Sequence, residues 1–129
     1  MAALAPDHPV VVTREWPWGL AFIGDSAWSE RVPVDWLKDD PMFASDGEIV
    51  VKIQHQVDGE ASVEVGLEEP TGCSLLRRVE LEIPSGRLFV ADAGLERVDE
   101  VSLPAGHWQA TVWVDRTEKP SRVVVSLRQ

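Results

Sequence analysis

Chemistry in this chain would have to come from 22 carboxylates, three histidines, one cysteine or six tryptophans. Acid/base catalysis needs two titratable groups at a set separation, with their pKa values pushed apart. The acids Glu48, Glu64, Glu80 and Glu82 instead stand in runs where they alternate with Ile, Val and Leu. That alternation turns a carboxylate toward water while its neighbours enter a core, so solvated charge is the expected role. His8, His55 and His107 form no short ligand spacing, and no His-Glu-x-x-His pair occurs. His55 falls on the apolar side of its run, which predicts an imidazole hydrogen-bonded in the core or at its rim. His107 opens a run on the polar side and is expected to be exposed. Asp39, Asp40 and Asp46 lack the ordered spacing of a calcium loop. There is no Gly-x-Ser-x-Gly elbow, phosphate-binding loop or dinucleotide fingerprint. Cys73, in the turn-like Pro70-Thr71-Gly72-Cys73-Ser74, has no adjacent His to activate it and reads as an inert thiol. The expectation is a protein with no catalytic residues, no metal and no cofactor.

Tryptophan is the compositional oddity: six Trp stand against three Phe and no Tyr. Trp16 and Trp18 flank Pro17, with Trp28 and Trp36 soon after. In an extended segment, residues two apart point the same way, so Trp16 and Trp18 would present two indoles together. Such a pair suits stacking on a sugar ring or anchoring in a partner's pocket. The competing expectation is that these rings close one end of the core, since Trp is mostly buried. Trp113 breaks the polar side of its run and is expected to face outward, where a second copy of the chain could cover it.

Placing these residues requires elements, and period-two alternation supplies them. Trp108, Ala110, Val112 and Val114 oppose His107, Gln109, Thr111 and Asp115. Glu60–Leu67, Glu48–Val57, Val79–Ile83 and Val123–Leu127 repeat the pattern, and Pro9–Thr13 and Leu20–Gly24 read as short strands. Turn signals separate them, including Asp58-Gly59, read as a tight hairpin, and the Gly-containing turns at 84–86 and 104–106. The spacing predicts an all-β, antiparallel two-sheet sandwich of about seven to nine strands. At most one helical turn is expected, near 34–40 and stopped by Pro41. One domain over 1–129 is expected, with a loose start over residues 1–8.

Twelve Lys and Arg against 22 Asp and Glu leave a net charge of −10 on 129 residues, with 44% hydrophobic content. Nucleic acid is excluded as a partner by that sign, because phosphate binding needs clustered cations. No apolar run approaches a membrane span, and the single Cys fits a cytoplasmic location. A basic protein is the partner such a charge would steer toward itself.

The run Val79-Glu-Leu-Glu-Ile-Pro-Ser-Gly-Arg-Leu-Phe-Val-Ala-Asp-Ala-Gly94 is followed by Val101-Ser-Leu-Pro-Ala-Gly-His-Trp-Gln-Ala-Thr-Val-Trp-Val-Asp115. Together they resemble uncharacterised bacterial β-sandwich proteins that are similar to the competence-associated nuclease inhibitors. The resemblance covers the C-terminal half, rests on turn chemistry, and implies fold more than function. Three readings follow. The first is a non-enzymatic module binding a basic protein as an inhibitor or immunity-type partner, through Trp16, Trp18, Asp35, Asp39, Asp40 and Trp113. The second is a sugar- or small-ligand-binding sandwich using the N-terminal Trp group. The third is a hydrolase built on His55 or His107 with nearby acids.

Overall fold

A computed structural model describes residues 2–3, 8–27, 39–94 and 96–129. The strands are β1 (Ala2–Ala3), β2 (Val10–Arg14), β3 (Leu20–Asp25), β4 (Met42–Ala44), β5 (Glu48–Lys52) and β6 (Ala61–Gly66), then β7 (Ser74–Ile83), β8 (Arg87–Asp92), β9 (Arg97–Ser102), β10 (Gly106–Val114) and β11 (Arg122–Arg128). They make a six-stranded sheet, β1-β9-β8-β3-β5-β4, and a five-stranded sheet, β2-β6-β11-β10-β7. This is the all-β sandwich that the alternation predicts. Nine strands have five residues or more; the extra two, β1 and β4, are short edge pieces of the larger sheet. Pairing is antiparallel except for β1–β9 and β6–β11, which are parallel. Within the start expected to be loose, Ala2–Ala3 pairs with Val101–Ser102.

The two inner faces interdigitate as period two requires. From the smaller sheet, Val63, Val65, Leu81, Ile83, Trp108, Ala110, Val112, Val123 and Val125 enter the core. They meet Ala21, Ile23, Ile49, Val51, Leu88, Val90 and Val101 from the larger one. Each fully buried aliphatic side chain contributes roughly 1.5–3 kcal/mol. The larger sheet is covered on its other face too, where Leu20, Phe22, Val50, Phe89 and Ala91 form a second buried cluster. That explains the unbroken apolar runs of β3 and β8, since a strand buried on both faces loses its polar alternation. It also corrects one expectation. Glu48 shares the outer side of β5 with Val50 and is fully buried, not solvated.

One turn differs from its sequence reading. Asp58-Gly59 does not close a hairpin, because β5 and β6 lie in different sheets. The Glu48–Val57 run is accordingly regular strand only as far as Lys52, and a 3-10 turn at Gln56–Asp58 carries the chain across. The other 3-10 turn is Pro17–Gly19. Residues 34–38 of the expected helical turn lie outside the described residues.

β6 and β7 run in the same direction with β11 and β10 between them. Residues 67–73 therefore return along the outer face of the smaller sheet as a strap. Arg122 fastens it, donating from Nη1 to the Thr71 carbonyl at 3.1 Å while its Nε pairs with Glu64.

Candidate functional site

One end of the sandwich gathers segments 15–19, 39–41, 53–60 and 115–121, where β2, β5 and β10 finish and β3, β4, β6 and β11 begin. Backbone hydrogen bonds tie these segments together. Gln56 N–H donates to Trp16 O at 3.0 Å, Ile53 N–H to Gly19 O at 2.9 Å, and Gln54 N–H to Pro120 O at 2.9 Å. The Gln54 side chain adds a bracket, its Nε2 donating to the carbonyls of Asp58 and Glu60, both at 3.1 Å. Its Oε1 accepts from Arg116 Nη2 at 2.8 Å. No feature of the sequence marks Gln54, because its role depends on partners up to 62 residues away.

The two indoles part company here. Trp16 is fully buried, with Nε1 donating to Ala61 O at 2.9 Å and the Arg14 guanidinium 5.9 Å over its ring. Trp18 is 78% exposed. Its backbone is left-handed, at φ 62° and ψ 2°, which reverses the side chain that an extended segment would have placed beside Trp16. The paired-indole surface is not formed. A bulky residue in this conformation costs roughly 1–2 kcal/mol, so the surroundings must impose it. Gly19, at φ 64°, is pressed so closely on β5 that a Cβ would come within 2.8 Å of Ile53 O. With Trp16 locked below and Gly19 locked beside, Trp18 is held out into solvent.

Val57, also 78% exposed, stands on the adjoining 3-10 turn. That turn is capped by His55, whose Nδ1 accepts from Val57 N–H at 3.1 Å. His55 therefore lies half-buried at the core's rim, employed as a cap. Around the two apolar residues the loop end carries exposed Glu15, Asp39, Asp40, Asp58, Glu60, Asp115 and Glu118 against exposed Arg116 and Lys119. Lys119 Nζ lies 3.9 Å from Asp58 Oδ2. Burial works to raise the Asp115 pKa, yet hydrogen bonds from the Ser121 hydroxyl and the Arg122 and Ser121 amides, with the charge of Arg116, leave it below the usual carboxylate value. The result is an apolar point within an acidic field.

The fold recurs in a solved nuclease inhibitor. The crystal structure of ComJ, inhibitor of the DNA degrading activity of NucA, from Bacillus subtilis, superposes with a TM-score of 0.64 at 15% identity, over 93% of each chain. Crocagin biosynthetic gene J aligns over 92% of this chain and 94% of its own, with a TM-score of 0.51 and 13% identity. No protein-family model and no curated protein matches the chain. At these identities the likeness is one of fold. It is not confined to the C-terminal half, as the motifs at Val79–Asp115 suggested, but runs along nearly the whole chain.

The remaining candidate residues are dispersed. Asp39 and Asp40 belong to the loop end and are exposed; Asp35 lies outside the described residues. Trp113 is half-buried on the outer face of the smaller sheet, with Nε1 donating to Ser126 Oγ at 3.0 Å. His107 is exposed, and its Nε2 meets Glu80 Oε2 at 2.6 Å, with both side chains 60% exposed on an open strand surface. The buried acids serve the fold. Asp25 accepts from Ser85 N–H and Oγ at 3.0 and 2.6 Å and from Ala27 N–H at 2.9 Å. Asp92 accepts from Gly94 and Glu96 N–H and pairs with Arg14 at 3.2 Å. Among the described residues no three His, Cys, Asp or Glu are grouped to hold a metal.

Proposed function

We propose that this chain is a non-catalytic protein-binding module that inhibits a basic enzyme, docking through the loop end around Trp18. The exposed indole, carried on a backbone that its neighbours hold in place, is the observation that carries the reading. A Trp whose backbone is fixed before contact loses less entropy on binding, and Trp is the residue type that most often dominates interface energy. The surrounding acids complement a cationic surface, and an enzyme that grips a nucleic-acid backbone must present one. ComJ, with the same fold, inhibits a DNA-degrading activity. Asp39 and Asp40 fall within the docking field, and Asp58 and Glu60 join them.

The test is capture from an extract of the source organism at low and high salt, with wild type and Trp18→Ala side by side. The captured fraction is then assayed for DNA degradation with and without added wild-type chain. A basic protein held at low salt, shed at high salt, lost with Trp18→Ala and inhibited by the wild type is the expected result. Retention indifferent to both salt and Trp18 would refute the proposal.

A further inference from the structure

Among the described residues the two sheets end in four edge strands, and these are not alike. β1 has two residues, β4 three and β2 five, whereas β7 has ten. A long edge strand is a template for pairing unless something blunts it. The Glu82 N–H points away from β10, since it donates to Asp46 O at 2.7 Å. By the alternation of an antiparallel ladder, the N–H and C=O groups of Glu80 and Arg78 point the same way. Their side chains, on the outer face, are exposed.

The sequence along this edge is Arg77-Arg78-Val79-Glu80-Leu81-Glu82. Two cations followed by two anions make a strand that complements its own reverse. A parallel in-register pair would set Arg78 on Arg78 and Glu80 on Glu80, which is repulsive. An antiparallel pair with a two-fold axis through Val79 sets Arg78 of each strand opposite Glu80 of the other. In that register Arg78 and Glu80 form the hydrogen-bonded pairs, so their outward backbone groups are exchanged between copies. Glu82 keeps its bond to Asp46, whose carbonyl occupies the position opposite Glu82, so the pairing is confined to residues 78–80 of each strand.

We infer that the β7 edge is a self-association surface, through which two copies of this chain pair antiparallel about Val79 and join their five-stranded sheets into one. Two-fold symmetry uses the same patch on both copies and leaves no further β7 edge open, so association stops at the dimer. His107 already holds Glu80 on its β10 side, which fixes that carboxylate for the incoming Arg78.

Sedimentation equilibrium over a wide range of chain concentration tests this, with circular dichroism confirming that each variant is folded. The expected mass rises from one chain toward two. Arg78→Glu and Glu80→Arg each weaken association by at least about tenfold, because every pair becomes like-charged. The doubly exchanged chain, R78E with E80R, dimerises again, since its pattern is the mirror of the original. A wild-type mass that stays at one chain overturns the inference, as does a dimer insensitive to both single reversals. A folded double variant that remains monomeric overturns the pairing as well. None of these outcomes bears on Trp18, so this surface and the loop end stand or fall separately.

Discussion

Trp18 holds a backbone conformation that its side chain disfavours, and the cost is offset by neighbours rather than by contacts of its own ring. Trp18→Gly removes the left-handed penalty and should stabilise the chain by about 1 kcal/mol net of glycine's extra unfolded-state entropy. Trp18→Ala keeps the penalty and should leave the melting temperature almost unchanged. Both variants should lose about 2 kcal/mol or more of partner affinity. Stability gained where binding is lost is the signature of a residue retained for recognition; a fall in Tm with glycine would instead mean that the indole packs. Asp115 behaves differently. Its folded pKa is depressed, so the stability it confers is fully present above the ordinary carboxylate value and lost as pH falls through the folded value. Asp115→Ala should therefore cost about 1 kcal/mol at neutral pH, mainly in hydrogen bonds to Ser121 and Arg122. That difference from wild type should close in acid denaturation curves.

At the scale of elements, the strap over residues 67–73 is fastened by the Arg122 side chain. Hydrogen bonding to Glu64 raises the Arg122 pKa above its usual value, and Nη1 also lies 3.6 Å from Cys73 Sγ. Arg122→Leu leaves a mostly buried Glu64 carboxylate without its cation and the Thr71 carbonyl without this donor, at a cost of about 1–3 kcal/mol. Amide exchange should speed up over 67–73 and the Cys73 thiol should react faster with disulfide reagents, while β10 amides stay protected. Alternation located the strands that bound this strap, because inner-face residues such as Trp108, Val112 and Val125 obey a local rule. It could not say which strands pair. Asp58-Gly59 has hairpin chemistry, yet whether the chain folds back or crosses to the other sheet is decided by Gly19 and Pro120, far away in sequence. Glu48 misleads for the same reason: it alternates with apolar residues, but β5 is covered on both faces. The Trp16–Trp18 spacing fails because it assumes extended backbone, and Gly19 packing on Ile53 O twists Trp18 out of it. Part of the site was legible in residue type, since Trp16, Trp18 and the acids at 39–40 do reach the loop end. Val57, Gln54 and Glu60 were not, because only the sheet-crossing turn brings them there.

For the molecule as a whole, a charge of −10 acts on both proposed associations, and with opposite sign. Two copies approaching along β7 repel at long range, each carrying the full excess of acid. Salt shortens that repulsion to a Debye length of about 8 Å at physiological ionic strength. The exchanged backbone hydrogen bonds and the close Arg78–Glu80 contacts are screened far less. Self-association should therefore tighten as salt rises from low to physiological levels. Docking of a basic partner at the loop end is attracted by the same field, so salt should weaken it. The loss should fall mainly on the association rate, which long-range steering controls, whereas Trp18→Ala should act mainly on dissociation, which the buried contact controls. Measuring both equilibria in one salt series checks the charge argument against itself. If the two respond in the same direction, net charge is not what governs either surface, and the acidic field around Trp18 would have to be explained by solubility alone.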